Sequence, residues 1–369
     1  MRLIRLIPCA FLLGLATACG GSSDSSNKGA GGDGNGAETG VTLDELPSKY
    51  AATFCQVFTG CVGDLYDIYR PGEECLKDIE PGIEEELAPL ADAIKAGRVK
   101  YDGNKVQGCL DDVAARDCAA LSEREPSSCQ AAIQGTVKQG DDCTLDEECE
   151  GDQYCKLSDA CPGKCAPYES AGGACVSNDN CKSGLECDND GHCVAAAKEG
   201  EACQQGEPNC AAGLLCLGED STAKTPGKCY PISEALAGKE GEDCSLEGHL
   251  CTGGLSCEIT SVAPIRGKCV AQVDAGMTCR AAFPDECPAE QYCALGANPL
   301  MPGKCTAKPG AGEKCAAGLG AATICKPYTR CDSGVCREIA HAGEDCTAND
   351  TCYTGHCVDG ACVTGNSCQ

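Results

Sequence analysis

Tryptophan is absent from this sequence, and its 369 residues hold only four phenylalanines, ten tyrosines and three methionines. Large side chains dominate ordinary hydrophobic cores, so a chain this poor in them is not built around one. Basic residues are also few, 29 Lys and Arg against 56 Asp and Glu, for a net charge of −27. A surface of that sign repels phosphate backbones and anionic headgroups; it argues against nucleic acid as a partner and favours solubility or cationic partners. Histidine occurs only at His192, His249, His341 and His356, and no Cys-x2-Cys knuckle exists. That pattern argues against a structural zinc site. Neither a Gly-x-Ser-x-Gly elbow, nor His-Glu-x-x-His, nor a phosphate-binding loop is found. Without a base and nucleophile to place in a cleft, the expectation is a non-enzymatic protein with no cofactor.

What the chain does have is cysteine, 38 residues of it, with 47 glycines to turn the backbone. Between Gly140 and Cys362 one phrase recurs seven times: Gly-x-x-Cys, Cys, Cys, Gly-x-Cys. The first cysteines are Cys143, Cys175, Cys203, Cys244, Cys279, Cys315 and Cys346. The second are Cys149, Cys181, Cys210, Cys251, Cys287, Cys325 and Cys352, and the third Cys155, Cys187, Cys216, Cys257, Cys293, Cys331 and Cys357. The fourth are Cys165, Cys193, Cys229, Cys269, Cys305, Cys336 and Cys362. Second and third are separated by five residues in six units and by four in the last. Fourth to next first is nine residues at five of the six junctions. Such regularity identifies a repeat array. Units this small cannot stand on apolar burial alone, so each must be stapled by disulfides, which persist in an oxidising compartment.

Each third-to-fourth segment reads as a β-hairpin. Asp190-Gly191 and Asp359-Gly360 are hairpin-turn dipeptides in which glycine accepts a positive φ. The turn is tight in the units ending at Cys193, Cys336 and Cys362, and longer in those ending at Cys229, Cys269 and Cys305. The segments Gly218–Pro226 and Ile259–Arg266 read as exposed, mobile loops. Two pairings are open: first with third and second with fourth, which interlocks two loops, or third with fourth across the hairpin. Cys161 and Cys368 fall outside the fourfold scheme, and either pair with each other or extend their own units.

The start of the chain has the layout of an export signal. Arg2 and Arg5 precede the 13 apolar residues Leu6–Ala18, too short to span a bilayer. The run ends Leu15-Ala16-Thr17-Ala18-Cys19, which resembles a bacterial lipobox with Ala16 where leucine is usual. The resemblance implies cleavage before Cys19 and lipidation of its thiol. Ala16-Thr17-Ala18 also fits an ordinary signal-peptidase site. Two features favour the lipid. Gly20–Gly40 is a polar, glycine-rich spacer whose 21 residues give an r.m.s. span of roughly 25 Å. Setting aside Cys9 and Cys19 leaves an even 36 cysteines. Gly20 also lacks the aspartate that, in enteric lipoproteins, retains the chain at the inner membrane; the resemblance therefore implies the outer membrane, with the face left open.

From Val41 to Lys138 the pattern is helical. Thr42-Leu43-Asp44-Glu45 has capping-box spacing, and Tyr50, Phe54 and Phe58 share one face. Further helices are expected over Gly82–Ala96, interrupted or kinked by Pro89, over Lys105–Ala115 and over Pro126–Ile133. Cys55, Cys61, Cys75, Cys109, Cys118 and Cys129 should form three bridges among 15 possible pairings. Cys55 to Cys61, the phrase Ala96-Gly97-Arg98-Val99-Lys100-Tyr101-Asp102 and Cys109-Leu110 resemble a segment of myxobacterial-type cysteine-rich lipoproteins, which carries no known activity. Cys143-Thr-Leu-Asp-Glu-Glu-Cys149-Glu-Gly-Asp-Gln-Tyr-Cys155 and Cys346-Thr-Ala-Asn-Asp-Thr-Cys352-Tyr-Thr-Gly-His-Cys357 resemble the N-terminal cysteine-rich domain of Dickkopf proteins. That resemblance implies a fold and a secreted setting, not Wnt signalling.

The expected organisation is a signal peptide (1–18), a lipidated cysteine and flexible linker (19–40), a six-cysteine helical domain (41–138) and seven tandem repeats (139–369). The fold class is small disulfide-rich repeats of short β-hairpins and loops, preceded by a small disulfide-stapled α-helical domain. Calcium is the one cofactor with candidate ligands, at Asp141-Asp142, Asp146-Glu147-Glu148 and Asp188-Asn189-Asp190, although no EF-hand loop is present. The function expected is a membrane-anchored binding, adhesive or structural stalk whose partners are the membrane, through its lipid, and an extracellular protein or glycan. The alternative is a protease inhibitor offering the basic residues Lys164, Lys228, Lys268 and Lys304 of four Gly-Lys-Cys phrases.

Overall fold

The computed structural model describes residues 40–364 except 64, 67–69, 71, 119, 121–125, 157–161, 176–179, 189, 205–208, 212, 220–224, 246–247, 263–264, 284, 296–297, 299 and 316–323. The signal peptide, Cys19, the linker to residue 39, Cys161 and Cys368 lie outside the described residues. Two compact units are present. One comprises residues up to Val57, Cys75–Ser170 and Ile339–Gln369; the other comprises Phe58–Glu74 and Ala171–Glu338. The first unit therefore contains the first and last repeats together with most of the helices.

One half of the capping box forms ahead of helix α1 (Leu46–Val62), which starts a turn later than the box alone would place it: the Glu45 carboxylate accepts from Thr42 N at 3.0 Å and Thr42 Oγ1 at 3.1 Å. Tyr50, Phe54 and Phe58 are all buried. Helix α2 (Cys75–Lys95) begins two turns before the expected Gly82 and continues through Pro81 and Pro89. Each proline removes a backbone donor, but Ile79, Ile83, Leu87 and Leu90 form a continuous buried stripe along it. Burial of that stripe outweighs the lost hydrogen bonds. Helix α3 (Gly103–Ala114) is capped by Asp102, whose side chain accepts from Asn104 N, and buries Val106, Leu110 and Val113. Helix α4 (Ser127–Ala132) follows Pro126. Cys55–Cys75 staples α1 to α2 and Cys109–Cys129 staples α3 to α4, while Cys61 and Cys118 are also disulfide-bonded. Strands β1 (Val99–Tyr101) and β2 (Ile133–Gly135) pair antiparallel between these helices, a small sheet the helical pattern does not announce. Among the described residues no helix is long and apolar enough to cross a membrane.

The repeats follow two plans. Repeats with a long third-to-fourth segment form a three-stranded sheet with the fourth-cysteine strand in the centre. In repeat 1 these strands are β3 (Asp142–Cys143), β5 (Gly163–Pro167) and β4 (Gln153–Lys156). Repeats 3 and 5 repeat the arrangement, and in repeat 4 a fourth strand, Ala282–Phe283 of repeat 5, is added at the sheet edge. Repeats with the tight turn, the second, sixth and seventh, carry a two-stranded hairpin, to which the residue before the first cysteine adds a single antiparallel bridge. Two of those turns are of the mirror-image type. Ser333-Gly334 has φ of 50° and 83°, and Asp359-Gly360 has 52° and 86°. The expected loop Ile259–Arg266 is a correction: strands over Leu255–Val262 and Ile265–Ala271 extend into it, with a bulge between Ile259 and Ser261. The β-branched residues Ile259, Thr260 and Val262 favour the ladder over a loop.

Candidate functional site

Each repeat is assembled around sulfur. The first cysteine bonds the third and the second bonds the fourth in all seven: Cys143–Cys155 with Cys149–Cys165, Cys175–Cys187 with Cys181–Cys193, Cys203–Cys216 with Cys210–Cys229, Cys244–Cys257 with Cys251–Cys269, Cys279–Cys293 with Cys287–Cys305, Cys315–Cys331 with Cys325–Cys336, and Cys346–Cys357 with Cys352–Cys362. The third and fourth cysteines do stand directly opposite each other, as in Cys357 and Cys362. Residues opposite one another across an antiparallel pair project from the same face. Both therefore point into one core, where each meets a cysteine from outside the hairpin instead of its ladder neighbour. The buried cluster of repeat 4 is Cys244, Cys251, Cys257 and Cys269, with Leu255 against it, and repeats 1, 2, 3, 5 and 7 have similar clusters.

The two glycines of the phrase have separate causes. The leading one always takes a positive φ, from 74° at Gly276 to 88° at Gly343, and turns the chain back so that the amide of Gly343 donates to Cys362 O at 2.8 Å. The trailing one, in the three-stranded repeats, is required by crowding: a Cβ on Gly303 would lie 2.5 Å from Ala294 O. Acidic residues are also structural. Glu201, Glu242, Glu313 and Glu344, each following the leading glycine, accept the backbone N–H of Lys198, Lys239, Gly310 and His341 at 2.7–2.9 Å.

The sequence-derived ligands fall into place against this plan. Triplets such as Cys143, Cys149 and Cys165 bring their sulfurs within 4.8 Å of one another, the spacing of a metal cage. Their sulfurs are bonded to other sulfurs and offer no thiolate. Of the calcium candidates, Asp146 is turned inward and accepts from Cys155 N at 2.8 Å, a role that Asp285 and Asn349 repeat toward Cys293 and Cys357. Asp188 accepts from His192 N at 2.7 Å, and Asp142 pairs with Lys164. The four lysines are exposed, but they sit on the central strand of their sheets and not on loops. Lys268 forms a 2.9 Å ion pair with Asp243, while Lys228 and Lys304 face Ala202 and Thr278 in register. A strand hydrogen-bonded on both sides cannot be drawn into a protease cleft as bait.

Three contacts that sequence reasoning missed hold residues of the segment before the repeats against repeats. In the first unit Arg98 clasps Glu148 of repeat 1 bidentately, both bonds at 2.8 Å. Burial works to raise the Glu148 pKa, but the Arg98 guanidinium and the Thr144 N–H hold it below its ordinary value. Also in that unit, Glu85 on α2 accepts from Ala342 N at 3.0 Å and pairs with the His341 imidazole in repeat 7. Burial pushes the Glu85 carboxyl up against the opposing pull of His341 and the Ala342 N–H.

In the second unit Glu73 accepts from Arg330 Nη1 at 2.7 Å, Arg330 Nη2 at 3.1 Å and Tyr328 N at 3.0 Å, with both ionic side chains under 5 % exposed. Lys308 is buried nearby. Desolvation lowers its pKa against the fields of Asp285, Glu290 and Glu73. An apolar contact accompanies this network: Leu65 packs with Ile232, Leu236 and Leu250. The first two of those partners frame a short helix, α5 (Ile232–Ala235), formed by the residues that lengthen the junction between Cys229 and Cys244. That junction, 14 residues in place of nine, was the signal.

No known family model matches the chain, and neither a curated protein nor a solved structure is significantly similar to it. The density of bridges nevertheless sets the environment. Fold and bonding are those of a disulfide-rich protein of an exported, extracytoplasmic setting.

Proposed function

We propose that the chain is a bacterial lipoprotein, exported, anchored through lipid on Cys19, and non-enzymatic, whose repeats present a binding surface to an extracellular protein or glycan. The observation that carries this reading is the pair of interlocked bridges in every repeat. Because the bridges supply the core, the outward side chains and hairpin loops are released from folding and free to differ between repeats. Seven such surfaces on one chain suit avidity, where weak contacts add. The docking of the first repeat on Arg98 and of the last on Glu85 favours a braced binding body over a freely jointed stalk. The Dickkopf-like phrases agree with a secreted module, and the Cys19 lipobox with an outer-membrane location.

Replacing Cys19 with Ser should move the protein from the membrane fraction to the soluble one; continued membrane retention would sink the anchor. Protease treatment of intact cells tests display: loss of repeat peptides places the repeats outside. Capture of a glycan or envelope protein by the purified full chain, competed by excess protein, is the expected result for the binding role.

A further inference from the structure

Repeat 5 departs from the plan of its neighbours. The position after the leading glycine is acidic in repeats 1, 3, 4, 6 and 7, and in four of these it closes the turn as a hydrogen-bond acceptor. In repeat 5 it is Met277, which lacks an acceptor of that kind and is 57 % exposed. The other methionine beyond Met1 is Met301, also 57 % exposed, in the hairpin of the same repeat beside exposed Leu300. Both sit at the ends of tight turns, Met277 N donating to Asp274 O at 3.1 Å and Met301 N to Asn298 O at 3.0 Å. Their backbones are thus fixed while their thioethers stand in solvent. Three of the five exposed large hydrophobic residues among those described are Met277, Leu300 and Met301.

The sulfur chemistry of the molecule makes these two side chains unlike any other. The cysteines of the described repeats are consumed in disulfides and are buried or half-buried, none of them exposed, so they do not yield a thiolate to an oxidant. A thioether needs no ionisation to react, and its susceptibility follows exposure. We propose that repeat 5 is an oxidant-responsive element. Met277 and Met301 each take one oxygen atom from a peroxide, turning an apolar face polar while the disulfide core stays intact. With a peroxide, a sulfur lone pair attacks the distal oxygen, the O–O bond breaks, and the leaving oxygen departs with a proton as water or alcohol. The sulfur loses two electrons, the peroxide gains them, and a methyl sulfoxide remains. Neither sulfur helps fill the sulfur core, so the fold has no packing to lose; sulfoxides placed in a core would disrupt it.

The test is hydrogen peroxide treatment of the mature, non-reduced protein, from Cys19 onward and so without Met1, followed by intact mass, peptide mapping and hydrophobic-interaction chromatography. The expected result is uptake of two oxygen atoms, at Met277 and Met301, at rates within about threefold of a free methionine derivative. The product should elute earlier, with its disulfide near-ultraviolet dichroism unchanged. Met277→Leu and Met301→Leu should each remove one oxygen and leave the other. Uptake much slower than the free derivative, oxygen on other residues, or loss of the native dichroism on oxidation would overturn the proposal.

Discussion

Glu73 and Arg330 form the most deeply buried ion pair described, and removing one partner is the sharpest test of it. Deleting a charge from such a pair leaves the other desolvated and unpaired, at about 3–5 kcal/mol. Arg330→Met alone should therefore speed amide exchange at Tyr328 and Glu74, whereas adding Glu73→Met should recover most of the loss. The pH dependence follows from the same contact. Burial raises the Glu73 carboxyl, but the Arg330 guanidinium and the Tyr328 N–H hold it below its ordinary 4.5. A lowered folded pKa contributes stability that is present above 4.5 and lost as pH falls through the folded value. Exchange at Tyr328 should accordingly rise, after correction for intrinsic rates, only below 4.5. Met277 invites the opposite kind of change. Met277→Glu restores the acceptor that Glu242 and Glu313 provide, and should raise the melting free energy of repeat 5 by about 0.5–1 kcal/mol.

At the level of elements, the short α5 shows how one inserted turn creates a contact. Ile232 and Leu236 are buried against Leu65 and Leu250 only because the junction is longer there. Leu236→Ala should destabilise by about 2–3 kcal/mol, the low end for a core leucine because the cluster is small, as read in thermal denaturation. Much of this level was legible in advance. The capping box at Thr42, the faces of α1 and α3, and the division between tight and long hairpins all express local rules: 3.6-residue periodicity, side-chain capping and turn chemistry. The helix start at Cys75 and the strand Val99–Tyr101 were not, because Pro81 argues locally against a helix and three residues carry no period. The lysines of the Gly-Lys-Cys phrases were ambiguous for a related reason. Their spacing is local, but the loop-or-strand distinction depends on β3 and its equivalents closing the other side of the sheet. Arg98, Glu73 and Glu85 escaped entirely, since an isolated charge in a sequence with 56 acidic residues gives no hint of a partner up to 257 positions away.

For the whole molecule, the balance between covalent and apolar stabilisation differs between repeats and helices. A repeat of ~30 residues with ordinary net stability would be worth about 2–5 kcal/mol, at roughly 0.05–0.15 kcal/mol per residue. Its two bridges alone contribute about 4–8 kcal/mol by restricting the unfolded chain. Without them the cluster of repeat 4 has little left but Leu255, so a reduced repeat has no reason to stay folded. The helices are different. Tyr50, Ile83, Leu90 and Val106 are almost fully buried, an apolar core of the ordinary kind to which Cys55–Cys75 and Cys109–Cys129 are added. Titrating the full chain with a thiol reductant should therefore abolish amide protection in the repeats first, while α2 and α3 retain part of theirs. Hydrogen exchange resolved by peptide is the measurement. Repeats that kept their protection after complete reduction would show that side-chain packing outside the sulfur cores had been underestimated. Helices lost in the same step would show instead that α2 depends on repeat 7 through Glu85, and the strand after it on repeat 1 through Arg98.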